Sequence, residues 1–330
     1  MKVRIFVFGM AWLMAANAAQ AGALFDRFAR SDGAITVLAQ GNFVDPYFAN
    51  KALITAWEAG LDASEVTHHW LAWLIPRQRA DGGFDRYCAE GASWRACRAA
   101  DADDSTAATL LHLNVLYSRA LLKQKRPQSV AYADTPKHAA QRAVAAKKAD
   151  QMLHSLRTPR GTYRAFADKP IEFLMDNTEV YAGLVATGQL IEAAQLKKSM
   201  EKYFFTGPDW QPANEAYERY EFYPSALAPT YRWHTGLTNS SVLELEFIAW
   251  AKLWGTAWLM RTQDEYAWGL VAWGARNVKE QHWIRCWRHQ HRLPDRSRGW
   301  TVLDEAVDVG LAHIGVEPVA LSCDSVLDKQ

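Results

Sequence analysis

The sequence lacks the features that mark several large classes of protein. Its 330 residues carry 37 basic and 36 acidic side chains, with no polybasic run and no acidic tail, which argues against a nucleic-acid partner. It also lacks a phosphate-binding P-loop, a dinucleotide-binding fingerprint and a G-x-S-x-G nucleophile motif. We therefore predict neither nucleotide chemistry nor a bound cofactor.

Long hydrophobic runs are absent beyond the N-terminus, so we predict no stable membrane insertion of the mature chain. The exception is the basic start "MKVR" followed by "IFVFGMAWLMAA", an apolar stretch of signal-peptide length. Small-x-small cleavage sites follow at 16–18 and 19–21. We predict that residues 1–21 are a signal peptide, that residues 22–330 form a single domain, and that the protein is periplasmic or secreted.

Cysteine is also scarce. The four cysteines are Cys88, Cys97, Cys286 and Cys323. An even number in an oxidising compartment favours disulfides, and four cysteines allow three sets of pairs. We favour Cys88–Cys97, which flank a short loop, and Cys286–Cys323, which would pin the C-terminal segment. Four free buried thiols are the alternative.

Strand signals are few, whereas helical segments with acidic or proline starts and glycine ends recur about ten times. The loops between them are alternately short and long. Short turns join the two helices of a hairpin, and longer segments cross to the next hairpin. The pattern predicts an all-α fold in which the hairpins close into an α/α toroid. An α-solenoid is the competing architecture, but no fixed repeat period is present.

Three helices begin with acidic residues after a long loop, in the segments "VDPYFANKAL" (44–53), "DDSTAATLLHL" (103–113) and "MDNTEVYAGL" (175–184). One helix lies between each start and the next. In a toroid such alternate helices belong to the same ring, so their N-termini would surround one rim of the central cavity. The carboxylates predicted to meet there are Asp45, Asp103, Asp104, Asp176 and Glu179. A fourth start, at 262–270, would add Asp264 and Glu265.

Capping is the simpler explanation for each acid taken alone, because Asp is a favoured N-cap and acids suit the first turn of a helix. Asp101 is a natural cap for the second of these helices, and "DNTE" (176–179) fits a capping box. One cap needs one acid, however, and residues 101–104 carry three. The chain also has 15 Trp, 12 Tyr and 13 Phe, and an acidic funnel lined with aromatic rings suits a carbohydrate.

Four segments carry a resemblance to a known family: "GNFVDPYFAN", "DADDSTAATLL", "MDNTEVYAGL" and "FYPSALAP". Over residues 41–230 the chain resembles the six-hairpin (α/α)6 glycosidase-like superfamily of bacteria, and it looks closest to secreted members associated with exopolysaccharide processing. The resemblance implies carboxylate acid/base chemistry on a glycosidic bond, by a glycoside hydrolase or less often a lyase. Some relatives have lost catalysis, so a toroid that only binds a polysaccharide or an export partner is the alternative.

Candidate residues for this chemistry follow from the acidic helix starts. We predict Asp104 and Asp176 as the catalytic pair, with Asp45, Asp103 and Glu179 as alternates. The predicted substrate-binding residues are Tyr47, Tyr181, Tyr223 and Asn177.

A second resemblance concerns "DADDSTA", which is similar to the D-x-D-D-T-A motif of class II terpene cyclases, and "QRADGGF", which is similar to their glutamine- and glycine-containing repeat. This resemblance implies that Asp103 would protonate an alkene. The signal peptide, the predicted disulfides and a chain too short for a double toroid count against it.

Two further patterns have structural interpretations. Trp250, Trp254 and Trp258 recur every four residues, which predicts a core-facing helix stripe. The segment 282–291 spaces His and Cys as metal sites do, but a disulfide at Cys286 would remove that ligand. We predict no metal site.

Overall fold

The computed structural model describes residues 25–123, 134–207, 209–214, 221–290 and 299–319, together with Cys323. The predicted signal peptide lies outside these residues. In chain order the helices in the described part are α1 Pro46–Glu58, α2 Ser64–Leu74, α3 Asp103–Lys123, α4 Pro136–Leu156, α5 Leu174–Thr187, α6 Leu190–Tyr203, α7 Tyr231–His234, α8 Ser240–Met260, α9 Gly269–Gly274, α10 His282–Gln290 and α11 Val302–His313. The strands are β1 Phe43–Val44, β2 Asp85–Glu90, β3 Ser93–Ala99, β4 Phe205–Thr206 and β5 Asp209–Trp210.

The odd-numbered helices form a closed inner ring. Each contacts the next odd-numbered helix, and α11 contacts α1. The even-numbered helices α2 and α4 pack on α3, α6 packs on α5, and α8 packs on α10. Because the last inner helix returns to the first, the hairpins form a toroid and not an open solenoid. The predicted all-α toroid is confirmed.

Small residues bring the inner helices close together. Ala107 and Ala108 of α3 are fully buried, and a Cβ on Gly183 of α5 would come within 2.9 Å of the Ala108 carbonyl oxygen. Any larger side chain at that position would push the two helices apart. This close approach sets the spacing between the rim ends of α3 and α5, where acidic side chains lie.

The loops that precede inner helices share one face of the toroid. The loop between α2 and α3 contains a β-hairpin of β2 and β3, and β1 pairs with β2 to complete a three-stranded antiparallel sheet. The hairpin turns at Gly91, whose φ of 62° favours glycine. The disulfide Cys88–Cys97 joins its two strands.

Both predicted disulfides are present, Cys88–Cys97 and Cys286–Cys323, and the described residues include no free cysteine. The tryptophan stripe also lies in the core as predicted, with Trp250 and Trp258 buried. None of the helices in the described residues has the length and hydropathy needed to cross a membrane.

The predicted fourth acidic helix start is wrong. Asp264 lies in a loop, where its side chain accepts a hydrogen bond from the Tyr266 amide, and α9 begins only at Gly269. The Gly269 amide donates to the carboxylate of Asp304, 2.7 Å away on α11. A long-range acceptor therefore satisfies the first turn of α9, and the local acids do not.

Candidate active site

Three neighbouring inner helices each place one aspartate at the same rim. Asp45 is the N-cap of α1, and its Oδ1 accepts from the Tyr47 amide at 3.0 Å. Asp104 lies in the first turn of α3 and Asp176 in the first turn of α5. The charge of Asp101 acts on both Asp45 and Asp176, and the charge of Asp176 acts on Asp104, so we group these three carboxyl groups as the acidic rim.

Ser105 links two members of the acidic rim. Its amide donates to Asp104 Oδ1 at 2.7 Å, and its hydroxyl is hydrogen-bonded to Asp176. Asp104 is fully buried, and its Oδ2 has no hydrogen-bond partner among the described residues. Burial and the nearby charge of Asp176 raise the pKa of Asp104 well above its ordinary value. Both effects favour the protonated form of Asp104.

Asp176 is the more accessible of these two groups, being only half-buried. Burial raises its pKa to about 7, with a further increase from the charges of Asp101 and Glu179, although the hydrogen bond from Ser105 opposes the change. A carboxyl group with that pKa exchanges its proton readily at neutral pH, as acid/base catalysis requires.

Asp45 is buried beside Arg86. Burial raises its pKa to about 6, the charge of Asp101 adds to this, and the Arg86 guanidinium opposes it from 3.7 Å. Arg86 also lies 3.3 Å from Asp101, whose side chain is 70% exposed. The prediction that Asp101 caps α3 is wrong, because its side chain points to Arg86. It is an acidic residue of the rim that sequence reasoning had assigned to capping.

Glu179 lies one turn deeper on α5, in a buried ion pair. Its carboxylate is 2.8 Å from Lys51 Nζ and 3.0 Å from His234 Nε2, and it accepts from the Tyr47 hydroxyl at 3.2 Å. Burial raises the pKa of Glu179, but Lys51 and His234 outweigh it and bring the pKa to about 2. The group is ionised at any physiological pH.

The capping-box prediction for residues 176–179 is wrong. The helix α5 begins two residues earlier, at Leu174, and the Glu179 side chain turns toward Lys51 instead of the helix amides.

Asp103 points away from Asp104, since adjacent helix positions differ by about 100°. Its carboxylate accepts from Arg79 Nη2 at 2.7 Å, and the same guanidinium contacts Asp81 and Asp85. Asp103 therefore belongs to a cluster that fastens the loop before β2 to the start of α3.

Three aromatic rings, exposed at Tyr223 and Tyr266 and half-buried at Trp268, occupy the part of the rim contributed by the segments before α7 and α9. Tyr223 is 44% exposed and stacks on Trp268, with ring centroids 5.2 Å apart. Tyr266 meets Trp268 edge-on at 6.0 Å and lies in the electrostatic field of Asp101. Trp268 has a left-handed backbone, with φ of 49°, and strain of this kind collects at functional sites. We call Tyr223, Tyr266 and Trp268 the aromatic wall.

Phenol groups lie between the acidic rim and the aromatic wall. The hydroxyls of Tyr47 and Tyr231 are hydrogen-bonded to each other, and burial together with the charge of Glu179 raises the pKa of both well above the ordinary value. They remain hydrogen-bond donors at any working pH. Tyr181 is half-buried and packs against the hydrophobic core further along α5.

Asn177 is fully buried, and its amide bonds to the backbone. Its Oδ1 accepts from the Tyr163 amide at 2.8 Å, and its Nδ2 donates to the carbonyls of Tyr163 and Phe173 at 2.9 Å. These bonds anchor the loop that precedes α5.

Sequence reasoning missed Trp268 and Tyr266, which lie in the segment it assigned to a fourth helix start. The signal that could have revealed them is the aromatic spacing in "EYAWG", which leaves two rings beside each other in a loop. Within the described residues, no group of three or more His, Cys, Asp or Glu side chains is placed to hold a metal ion.

No family model matches the sequence, and no curated protein does. Solved structures do match. An alpha-amylase from Clostridium perfringens superposes with a TM-score of 0.60 at 10% identity, over 89% of this chain and 97% of that one. A reducing-end-xylose releasing exo-oligoxylanase gives 0.60 at 8% identity, over 92% and 93%. A family 8 endoglucanase from Klebsiella pneumoniae gives 0.53 at 11% identity, over 89% and 97%. At such low identities the likeness shows the fold alone, an (α/α)6-type toroid.

Proposed function

We propose that this protein is a glycoside hydrolase that cleaves a bacterial polysaccharide by carboxylate acid/base chemistry. The observation that carries the proposal is the composition of the rim, with the carboxyl groups of Asp45, Asp104 and Asp176 on one side and the aromatic wall on the other. Aromatic faces stack on sugar rings, and carboxyl groups with raised pKa values exchange protons at a glycosidic bond. The glycosidase names of the structural neighbours agree with this assignment.

In this proposal Asp176 is the proton donor. It is accessible, and its pKa of about 7 leaves a large protonated fraction at neutral pH. Its proton passes to the glycosidic oxygen as the bond to the sugar carbon breaks. Glu179 supports this role, because its permanent negative charge one turn below helps to keep the pKa of Asp176 high.

Asp45 is the proposed base. Its pKa of about 6 leaves it mostly ionised at neutral pH, so it can take a proton from the attacking water. Asp104 is bonded to the amide of Ser105, whose hydroxyl is bonded to Asp176, so it lies behind the proposed donor. We therefore assign Asp104 to support Asp176, which differs from its predicted role as a member of the reacting pair.

The aromatic wall would hold the sugar rings, and the Tyr47 oxygen, whose one proton is donated to Glu179, would accept a hydrogen bond from a sugar hydroxyl. Asp103 and Asn177 are left out of the substrate contacts, because Arg79 and the backbone of Tyr163 already occupy them. Export through the predicted signal peptide is part of the proposal, and the two disulfides are compatible with it.

The test is release of reducing ends from a panel of purified exopolysaccharides. We expect wild-type protein to act on at least one polymer, and Asp176→Asn and Asp45→Asn each to lose at least a hundredfold in turnover. Asp209→Asn is the matched control, since Asp209 is exposed on β5. Undiminished turnover by Asp176→Asn would refute the assignment. Binding of a polymer without cleavage by wild-type protein would favour the non-catalytic toroid.

A further inference from the structure

A cavity outside the candidate active site opens in the loop that leads from α4 to α5. It has a volume of about 480 Å³, within the roughly 300–1,000 Å³ that small-molecule pockets occupy. Arg160 and Arg164 line it, with Thr158, Glu172 and Asn214 among the other lining residues. None of these residues belongs to the acidic rim or to the aromatic wall.

The two arginines of this cavity carry positive charge that the described residues do not neutralise. Arg164 donates to the carbonyl oxygens of Ala167 at 3.2 Å and Ser155 at 3.4 Å, which orient the guanidinium but leave its charge in place. The Arg160 guanidinium lies 5.4 Å from the centre of the Tyr203 ring. Neither arginine forms an ion pair with a carboxylate of the described residues.

With the other described charges near the cavity included, the net charge of its surroundings stays positive. Lys202 Nζ lies 4.9 Å from the same Tyr203 ring, so two cations share one aromatic side chain. Among the described residues, the carboxylate that lines the cavity is that of Glu172, which is buried and accepts from the Thr162 hydroxyl at 2.5 Å. The described lining therefore has two guanidinium groups for one carboxylate, which favours an anion.

Hydrogen bonds fasten the arginine-bearing loop to the acidic rim. The carbonyl of Ala165 accepts from the Asp103 amide at 2.8 Å, at the start of α3. The Tyr163 backbone is held by Asn177, the neighbour of Asp176 on α5. Glu172 precedes Asp176 by four residues. The loop that lines the cavity therefore also contacts the starts of the two helices that carry Asp104 and Asp176.

We propose that the cavity is a subsite for an anionic sugar unit, a uronic acid whose carboxylate binds Arg160 and Arg164. The inference rests on the proposed function and adds a substrate class to it, an acidic polysaccharide. The cavity binds the charged sugar unit away from the bond that is cleaved. Beside that bond, the carboxyl groups of the acidic rim would repel a second negative charge. Guanidinium groups suit this role because they bind carboxylates with two parallel hydrogen bonds.

The experiment measures binding by isothermal titration calorimetry to the Asp176→Asn protein, which avoids cleavage during the titration. The probes are tetrasaccharides of galacturonate, mannuronate and glucuronate, each paired with its carboxyl-reduced counterpart, which has the same linkage and no charge. We expect at least one uronate to bind about tenfold more tightly than its neutral counterpart, and added salt to reduce that difference.

Arg160→Ala should remove most of this preference and leave the affinity for the neutral counterpart unchanged. Arg160 is exposed and its guanidinium makes no hydrogen bond to the described residues, so the variant keeps the fold. Arg119→Ala is the control, because Arg119 is exposed toward the opposite end of α3. Arg160→Lys should retain part of the preference, since it keeps the charge but not the fork of donors.

Three results would overturn the proposal: equal affinity for every charged and neutral pair, no binding of any uronate, or an equal loss in the Arg119→Ala variant. Binding of free galacturonate as tightly as the tetrasaccharide would also overturn it, since the site would then hold a free anion and not a unit of a polymer. The proposed function fails separately, if Asp176→Asn retains full turnover.

Discussion

The buried ion pair between Lys51 and Glu179 gives the sharpest prediction about stability. Folding lowers the pKa of Glu179 from 4.5 to about 2, and each unit corresponds to about 1.4 kcal/mol, so the ionised form gains roughly 3 kcal/mol on folding. Lys51→Met keeps the length of the side chain but leaves the carboxylate without its cation. We expect a loss of roughly 3 kcal/mol in the free energy of unfolding at pH 7, measured by urea denaturation with circular dichroism and tryptophan fluorescence.

The double variant Lys51→Met/Glu179→Gln should recover part of this loss, because it removes the unpaired charge as well. Lys252→Met, an exposed lysine of α8, should change stability by less than about 0.5 kcal/mol. Because folding lowers the Glu179 pKa, the wild-type contribution is complete above pH 4.5 and is lost as the pH falls toward 2. A Lys51→Met protein as stable as wild type at pH 7 would refute the electrostatic argument.

Three more predictions concern the rim. Asp104→Asn should unfold at the same temperature as wild type or higher at pH 7. Folding raises the pKa of Asp104, so its contribution to stability is complete below the unfolded pKa of 3.8 and is lost as the pH rises through the folded pKa, whereas an amide has no proton to lose. A clear drop in Tm would contradict the raised pKa of this buried group. The pH profile of kcat/KM should be a narrow bell. The value of kcat/KM should fall below about pH 6, where Asp45 gains a proton, and above about pH 7, where Asp176 loses one. A flat profile from pH 5 to 9 would exclude this pair. Trp268→Ala should raise KM about two- to tenfold with little change in kcat, since stacking contributes roughly 0.5–1.5 kcal/mol. An unchanged KM would remove Trp268 from the sugar site.

Local patterns in the sequence were enough to predict the helices and their arrangement. Asp45 followed by Pro46 marks the start of α1 because an N-cap acts on the amide two residues further on. Short and long loops in alternation predict hairpins, and a chain of such hairpins that buries all its apolar faces can close on itself. Cys88 and Cys97 flank a short loop, so their pairing could be predicted from their separation in sequence.

The tertiary structure decided what each acidic residue does. Asp103 and Asp104 are neighbours in sequence, yet one meets Arg79 and the other lies beside Asp176, on a different helix. Glu179 fits a local capping box, but its partner Lys51 lies 128 residues away and attracts it more strongly than the helix amides do. A cap is a contact within one turn and can be predicted from spacing. Burial, an ion pair and a raised pKa depend on which helices the closed ring brings together, and no short stretch of sequence contains that information.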